Sequence, residues 1–135
     1  MVERFREVKN RYSRTSAFDF FGMKVEEVAE GKAVVSLAVS SRFYNSNGYL
    51  HGGVTATLVD TVIGVALKTL IHPKTAATVE LKTNYLAPVK DGELRATGWI
   101  VRSGQKLAVG RADVIDGHGK LVACGSATYM ILGEE

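Results

Sequence analysis

Tyr49-Leu50-His51-Gly52-Gly53 opens a run over residues 54–70 that is apolar at most positions and carries one carboxylate, Asp60. The spacing predicts a helix over this run, and His72-Pro73 ends it, because the residue before a proline is pushed out of helical geometry. A helix apolar around nearly its whole circumference needs a surface on every side. The rest of the chain is mostly strand-like, so the economical arrangement is an antiparallel sheet curling around the helix.

Working outward, residues 2–14 place Phe5, Val8 and Tyr12 at helical spacing among charged residues, as in a short amphipathic helix. Residues 17–23 hold Phe18, Phe20, Phe21 and Gly22 and read as an aromatic turn or a second helical piece. Two extended runs lie within residues 25–39, broken by the turn Ala29-Glu30-Gly31-Lys32. Residues 40–48 form a polar loop with Asn45, Asn47 and Gly48. After the long helix, residues 75–86, 93–102, 106–115 and 120–131 read as strands, with Ser103-Gly104 and Asp116-Gly117-His118-Gly119 as turns. In residues 75–86, simple alternation puts Thr78, Glu80, Lys82 and Asn84 on one face. The expected fold class is α+β: five to six antiparallel strands wrapped around one long central helix. The whole chain, 1–135, is expected to form one domain, with residues 1–22 as its helical N-terminal segment.

Composition narrows the function. The chain is 46% hydrophobic and 23% charged, ordinary values for a packed domain. No run reaches the ~18 uninterrupted apolar residues of a membrane span. Residues 1–6 are charged, so a secretion signal is not expected. The net charge of +3 suits a phosphate-bearing small molecule, but no block of like charges marks a nucleic-acid site. The single cysteine, Cys124, cannot make an internal disulfide, and a cytoplasmic location fits. His51, His72, His118 and Cys124 lack metal-ligand spacing, so no metal is expected. The glycines match neither a P-loop nor a dinucleotide fingerprint.

Asp60 carries the chemistry. Its helical neighbours are Ala56, Thr57, Ile63 and Gly64, with no Lys or Arg within a turn. It is either a carboxylate kept for use or an exposed residue at a helix edge. Gly64 and Ala56 leave room beside it for another chain or a ligand. Gly52 and Gly53 lie at the helix mouth, where free N–H groups and a partial positive charge favour an oxyanion. The plain alternative is a tight loop-to-helix turn. Eight residues separate Gly52 from Asp60, a rise of about 12 Å. That distance is too long for both to act on one carbonyl within one chain. If both are catalytic, a twofold dimer with antiparallel helices must bring one chain's Gly52 to the other's Asp60.

The series Asn45, Gly48, His51-Gly52-Gly53 and Asp60 resembles the hotdog-fold acyl-CoA thioesterases, especially the PaaI-type branch and mammalian thioesterase superfamily member two. Residues 78–88 look like that family's strand after the helix, and Arg102-Ser103-Gly104-Gln105-Lys106 with Gly119-Lys120-Leu121-Val122-Ala123 like its closing hairpins. The resemblance covers about residues 15–131. It implies hydrolysis of an aryl- or medium- to long-chain acyl-CoA, with coenzyme A as part of the substrate and no separate cofactor. Asp60 would be general base or nucleophile, and the Gly52 N–H would polarise the thioester oxygen. Asn45 would help bind the carbonyl or the water. His51 would shape the loop or assist polarisation. Thr78 would hold the water near the partner's carboxylate.

Gly53 and a basic rim of Arg102, Lys106 and Lys82 would bind substrate. Phe18, Phe20, Phe21, Phe43 and Tyr44 could line an acyl pocket or belong to the core. Homodimers, pairing further into a dimer of dimers, complete the expectation. The rivals are a non-catalytic acyl-CoA binding or sensing protein of the same fold and a hotdog hydratase, whose catalytic histidine motif is not found.

Overall fold

The computed structural model describes residues 2–134. Two short helices, α1 (Glu3–Ser13) and α2 (Ser16–Phe21), precede the strands β1 (Met23–Ala29) and β2 (Lys32–Ala38). The long helix α3 (Gly52–Ile71) follows, then β3 (Lys74–Tyr85), β4 (Glu93–Ser103), β5 (Leu107–Ile115) and β6 (Leu121–Glu134). The six strands make one sheet in the order β1-β2-β4-β5-β6-β3, and every neighbouring pair is antiparallel. This is the antiparallel sheet around a central helix expected from the apolar run, and the α+β hotdog arrangement that the resemblance implies.

Eleven of the 20 residues of α3 are buried, among them Leu58, Val59, Val62, Ile63 and Leu67. The helix is long and apolar enough to cross a membrane, but here it is the core helix, seated in the curl of the sheet. β5 shows how the sheet receives it. Ala108, Gly110, Ala112 and Val114 are buried and alternate with exposed residues, the period-two pattern of a half-covered strand. The floor under α3 is built from very small side chains. A Cβ on Gly98 would lie 2.9 Å from the Val62 carbonyl oxygen, and one on Gly110 would lie 2.5 Å from Ile63 Cγ2. Backbone meets backbone there, and no larger residue fits.

The N-terminal segment shares this core. Val8 of α1 is fully buried, and His72 Nε2 at the end of α3 lies 2.8 Å from Glu7 Oε2.

β3 departs from simple alternation. The β3–β6 register shifts between Thr78 and Glu80, so Thr78 pairs with Tyr129 and Glu80 with Thr128. Tyr129 is buried, so Thr78 shares the inner face with it, while Glu80 faces outward with Thr128. The bulge therefore separates two residues that alternation assigns to the same face. β3 also ends the sheet, and most of its side chains are exposed, including Val79 and Tyr85.

Gly98→Val is expected to destabilise the fold by about 1–3 kcal/mol, because the carbonyl of Val62 cannot yield to an added side chain. Urea denaturation measures this, and an unchanged midpoint would show that α3 does not sit this close to the sheet.

Candidate active site

Asp60 lies half-buried on the face of α3 that the sheet leaves uncovered, in line with Ala56, Thr57, Thr61 and Gly64. It stands in a cavity of about 300 Å³ whose wall also includes Tyr12, Phe18 and Met23 from the N-terminal segment. Two hydroxyls hold its carboxylate. Thr78 Oγ1 donates to Oδ1 at 2.9 Å, and Tyr129 Oη donates to the same oxygen at 2.5 Å. The Tyr129 hydroxyl is also 2.5 Å from the Asp60 main-chain oxygen. Burial, reinforced by the charge of Asp60, pushes the Tyr129 phenol far above its ordinary range, so it keeps its proton and remains a donor. Burial also pushes the Tyr12 phenol up.

Thr78 thus meets the Asp60 of its own chain, where the sequence had placed it beside a partner's carboxylate. The bulge at Val79 turns it there. Gly64 lines the same cavity, and its missing side chain also makes room for Tyr129: a Cβ on Gly64 would lie 3.2 Å from Tyr129 Oη. Tyr129 was missed in the sequence because it sits 69 residues from Asp60 in a strand that reads as core.

The mouth of α3 forms a second, separate concavity of about 340 Å³, lined by Asn45, Tyr49, Gly52, Tyr85 and Pro88 among others. Here the helix begins with an unusual cap. His51 Nδ1 accepts from the Gly53 N–H at 2.9 Å, and the His51 carbonyl accepts from Val54 N at 2.9 Å. The Gly52 N–H donates to no group among the described residues. Tyr85 Oη donates to the Gly52 carbonyl at 2.5 Å, and its ring lies so close to Gly52 that a Cβ there would be 3.2 Å from it.

Asn45 joins Gly52 at this mouth, but its Oδ1 already accepts from Asn47 N at 2.9 Å and Tyr49 N at 3.1 Å, which leaves only its Nδ2 for a ligand. Gly53 and His51 occupy each other and line neither concavity. Within one chain, then, Asp60 and Gly52 belong to two different openings.

The expected basic rim lines neither opening. Arg102 and Lys106 lie at the β4–β5 hairpin, and Lys82 stands opposite Ser126 on β3. Of the aromatics, only Phe18 reaches the Asp60 cavity. Phe20, Phe21 and Phe43 pack on one another at 5.1–5.5 Å, with Arg42 over two of the rings, and Tyr44 bonds the Lys90 carbonyl. Among the described residues no three His, Cys, Asp or Glu side chains gather where they could hold a metal ion.

The family model of the Thioesterase superfamily matches residues 47–123, which begin just before the α3 mouth and run through the Asp60 helix into β6. The chain belongs to this superfamily. Within the thioesterase superfamily it is 33% identical over 132 residues to the mouse protein named acyl-coenzyme A thioesterase 13, covering 95% of this chain and 94% of that one. It is 29% identical over 111 residues to the 1,4-dihydroxy-2-naphthoyl-CoA hydrolase of Listeria monocytogenes, covering 82% and 90%. The fold also superposes on the PaaI protein of the E. coli phenylacetic acid degradation operon, with a TM-score of 0.90, 22% identity and 97% and 94% of the two chains covered.

The cap at the helix mouth is testable apart from any chemistry. His51→Ala is expected to cost about 1 kcal/mol of stability by releasing the Gly53 N–H, whereas His51→Asn, a good capping residue, restores most of it. Chemical denaturation of the two variants makes the comparison.

Proposed function

We propose that this thioesterase-superfamily protein hydrolyses an acyl-CoA thioester to the free acid and coenzyme A, with Asp60 as the working carboxylate. The observation that supports this most is the state of Asp60: a carboxylate with no cationic partner among the described residues, held by two hydroxyls at the wall of a partly apolar cavity. Names carried by the relatives agree, since the mouse protein is an acyl-coenzyme A thioesterase and the Listeria protein a hydrolase of an aryl-CoA.

In the proposed reaction Asp60 takes a proton from water as the oxygen attacks the thioester carbonyl. The Gly52 N–H, free at the positive end of a helix, stabilises the oxygen that becomes negative. The tetrahedral intermediate then expels the coenzyme A thiolate. Asp60 acting as nucleophile would instead form an acyl anhydride with release of the coenzyme A thiolate, and label in the Asp60 carboxyl after a single turnover in ¹⁸O-labelled water would identify that route, with water opening the anhydride at the Asp60 carbonyl.

The two groups meet only if a second copy supplies one of them. Gly52 and Asp60 lie about 12 Å apart along one helix axis. The β3 edge, with Val79 at 58% and Tyr85 at 53% exposure, and the uncovered stripe of α3 around Asp60 are the surfaces proposed for pairing. An antiparallel pair then forms two composite sites, and such dimers pair again into a tetramer. The acyl group proposed for the cavity beside Tyr12, Phe18 and Met23 is an aryl or a medium- to long-chain acyl group. Arg102, Lys106 and Lys82 remain candidates for the coenzyme phosphates, reached in the assembly. The lone thiol of Cys124 suits a cytoplasmic setting.

Thiol release across a panel of acyl-CoA esters is the direct test. Asp60→Asn is expected to fold and assemble while kcat falls about 10²–10⁴-fold. Tight acyl-CoA binding without thiol release would favour a binding or sensing protein, and near-wild-type turnover in Asp60→Asn would remove the carboxylate from the mechanism. Light scattering measures the assembly, and a fully active monomer would exclude composite sites.

A further inference from the structure

We propose that Tyr129 is a positioning residue for the proposed hydrolysis: its hydroxyl, together with that of Thr78, ties down Oδ1 of Asp60 and leaves Oδ2 as the oxygen that takes the proton from water. The inference rests on the thioesterase reading and deepens it.

The geometry is specific. Both donors converge on one carboxylate oxygen, Thr78 at 2.9 Å and Tyr129 at 2.5 Å. Oδ2 accepts from no group among the described residues. Tyr129 Oη also stands 2.5 Å from the main-chain oxygen of Asp60, so one hydroxyl bridges the backbone and the side chain of the same residue. That bridge restrains both side-chain torsions of Asp60, which an aspartate on an uncovered helix face would otherwise sample freely.

Three features serve this one contact. Tyr129 is itself only 6% exposed, so its ring is fixed by the core. Gly64 carries no side chain, and a Cβ there would lie 3.2 Å from the Tyr129 oxygen. Glycine inside a helix costs about 1 kcal/mol relative to alanine. The bulge between Thr78 and Glu80 brings Thr78, the residue paired with Tyr129, onto the same face. A buried phenol that keeps its proton also cannot compete with Asp60 as a base.

The polar groups that line the cavity with Asp60 are Tyr12 from α1, Tyr129 from β6 and the hydroxyls of Thr15, Thr57, Thr61 and Thr78; no cation lines it among the described residues. Removing the Tyr129 hydroxyl therefore leaves Thr78 alone to hold the carboxylate, with no cation to take the place of the lost donor.

The test is Tyr129→Phe, assayed for thiol release on the best ester found for the wild type. The expected result is a fall in kcat of about 10- to 100-fold, the scale of a misplaced catalytic group, with KM little changed. Unchanged kcat overturns the inference. So does a fall in kcat matched by a rise in KM, which marks a general loss of the site and not a misplaced carboxylate. Gly64→Ala, which keeps the ring but crowds its oxygen, is expected to reproduce the fall in kcat at little-changed KM in weaker form and serves if the first variant does not fold. Absence of thiol release by the wild type overturns the thioesterase reading itself, and release that is indifferent to Tyr129 overturns only this inference.

Discussion

The structure depends on how closely α3 approaches the sheet. Gly98 brings a strand to within contact of the Val62 carbonyl, and Gly110 accommodates the Ile63 side chain. With no side chain projecting at Gly98 and Gly110, the helix lies low enough for strands on both sides to rise around it. Its apolar residues are then buried on most sides, and one stripe is left uncovered. Asp60 sits on that stripe. A bulkier floor would lift the helix and move the carboxylate away from Thr78 and Tyr129, so the packing of the core and the geometry of the site are set by the same contact.

The large features were legible in the sequence because they follow from periodicity and punctuation. An apolar run of helical length, ended by His72-Pro73, can only be a core helix in a strand-rich chain. Strands 93–102 and 106–115 are marked off by the turns Ser103-Gly104 and Asp116-Gly117-His118-Gly119. Asp60 was legible because a carboxylate without a cation nearby stands out in apolar surroundings. The separation of Gly52 from Asp60 also followed from helix rise alone, and the two occupy different openings.

What could not be read depends on contacts between distant segments. Tyr129 looked like one more β-favouring residue in the last strand, and only the register with Thr78 reveals its hydroxyl at Asp60. The bulge at Val79 adds one residue to one strand, and no local composition signals it. Gly64 was correctly read as making room, but part of that room serves a side chain of the same chain. The basic residues were chosen by charge, and charge alone does not say which end of the domain a hairpin occupies.

The cap on α3 limits what can be recognised at its mouth. His51 uses its ring nitrogen for the Gly53 N–H and its carbonyl for the Val54 N–H, so of the first-turn main-chain donors an arriving group meets one that is free, that of Gly52. Helix ends that hold phosphate offer several such donors at once. A single donor matches one oxygen with growing negative charge and discriminates poorly in favour of a dianion. In the proposed reaction this cap therefore favours the thioester carbonyl, while the phosphates of a coenzyme, or free phosphate in the surroundings, gain little there and leave the position open for the reacting group.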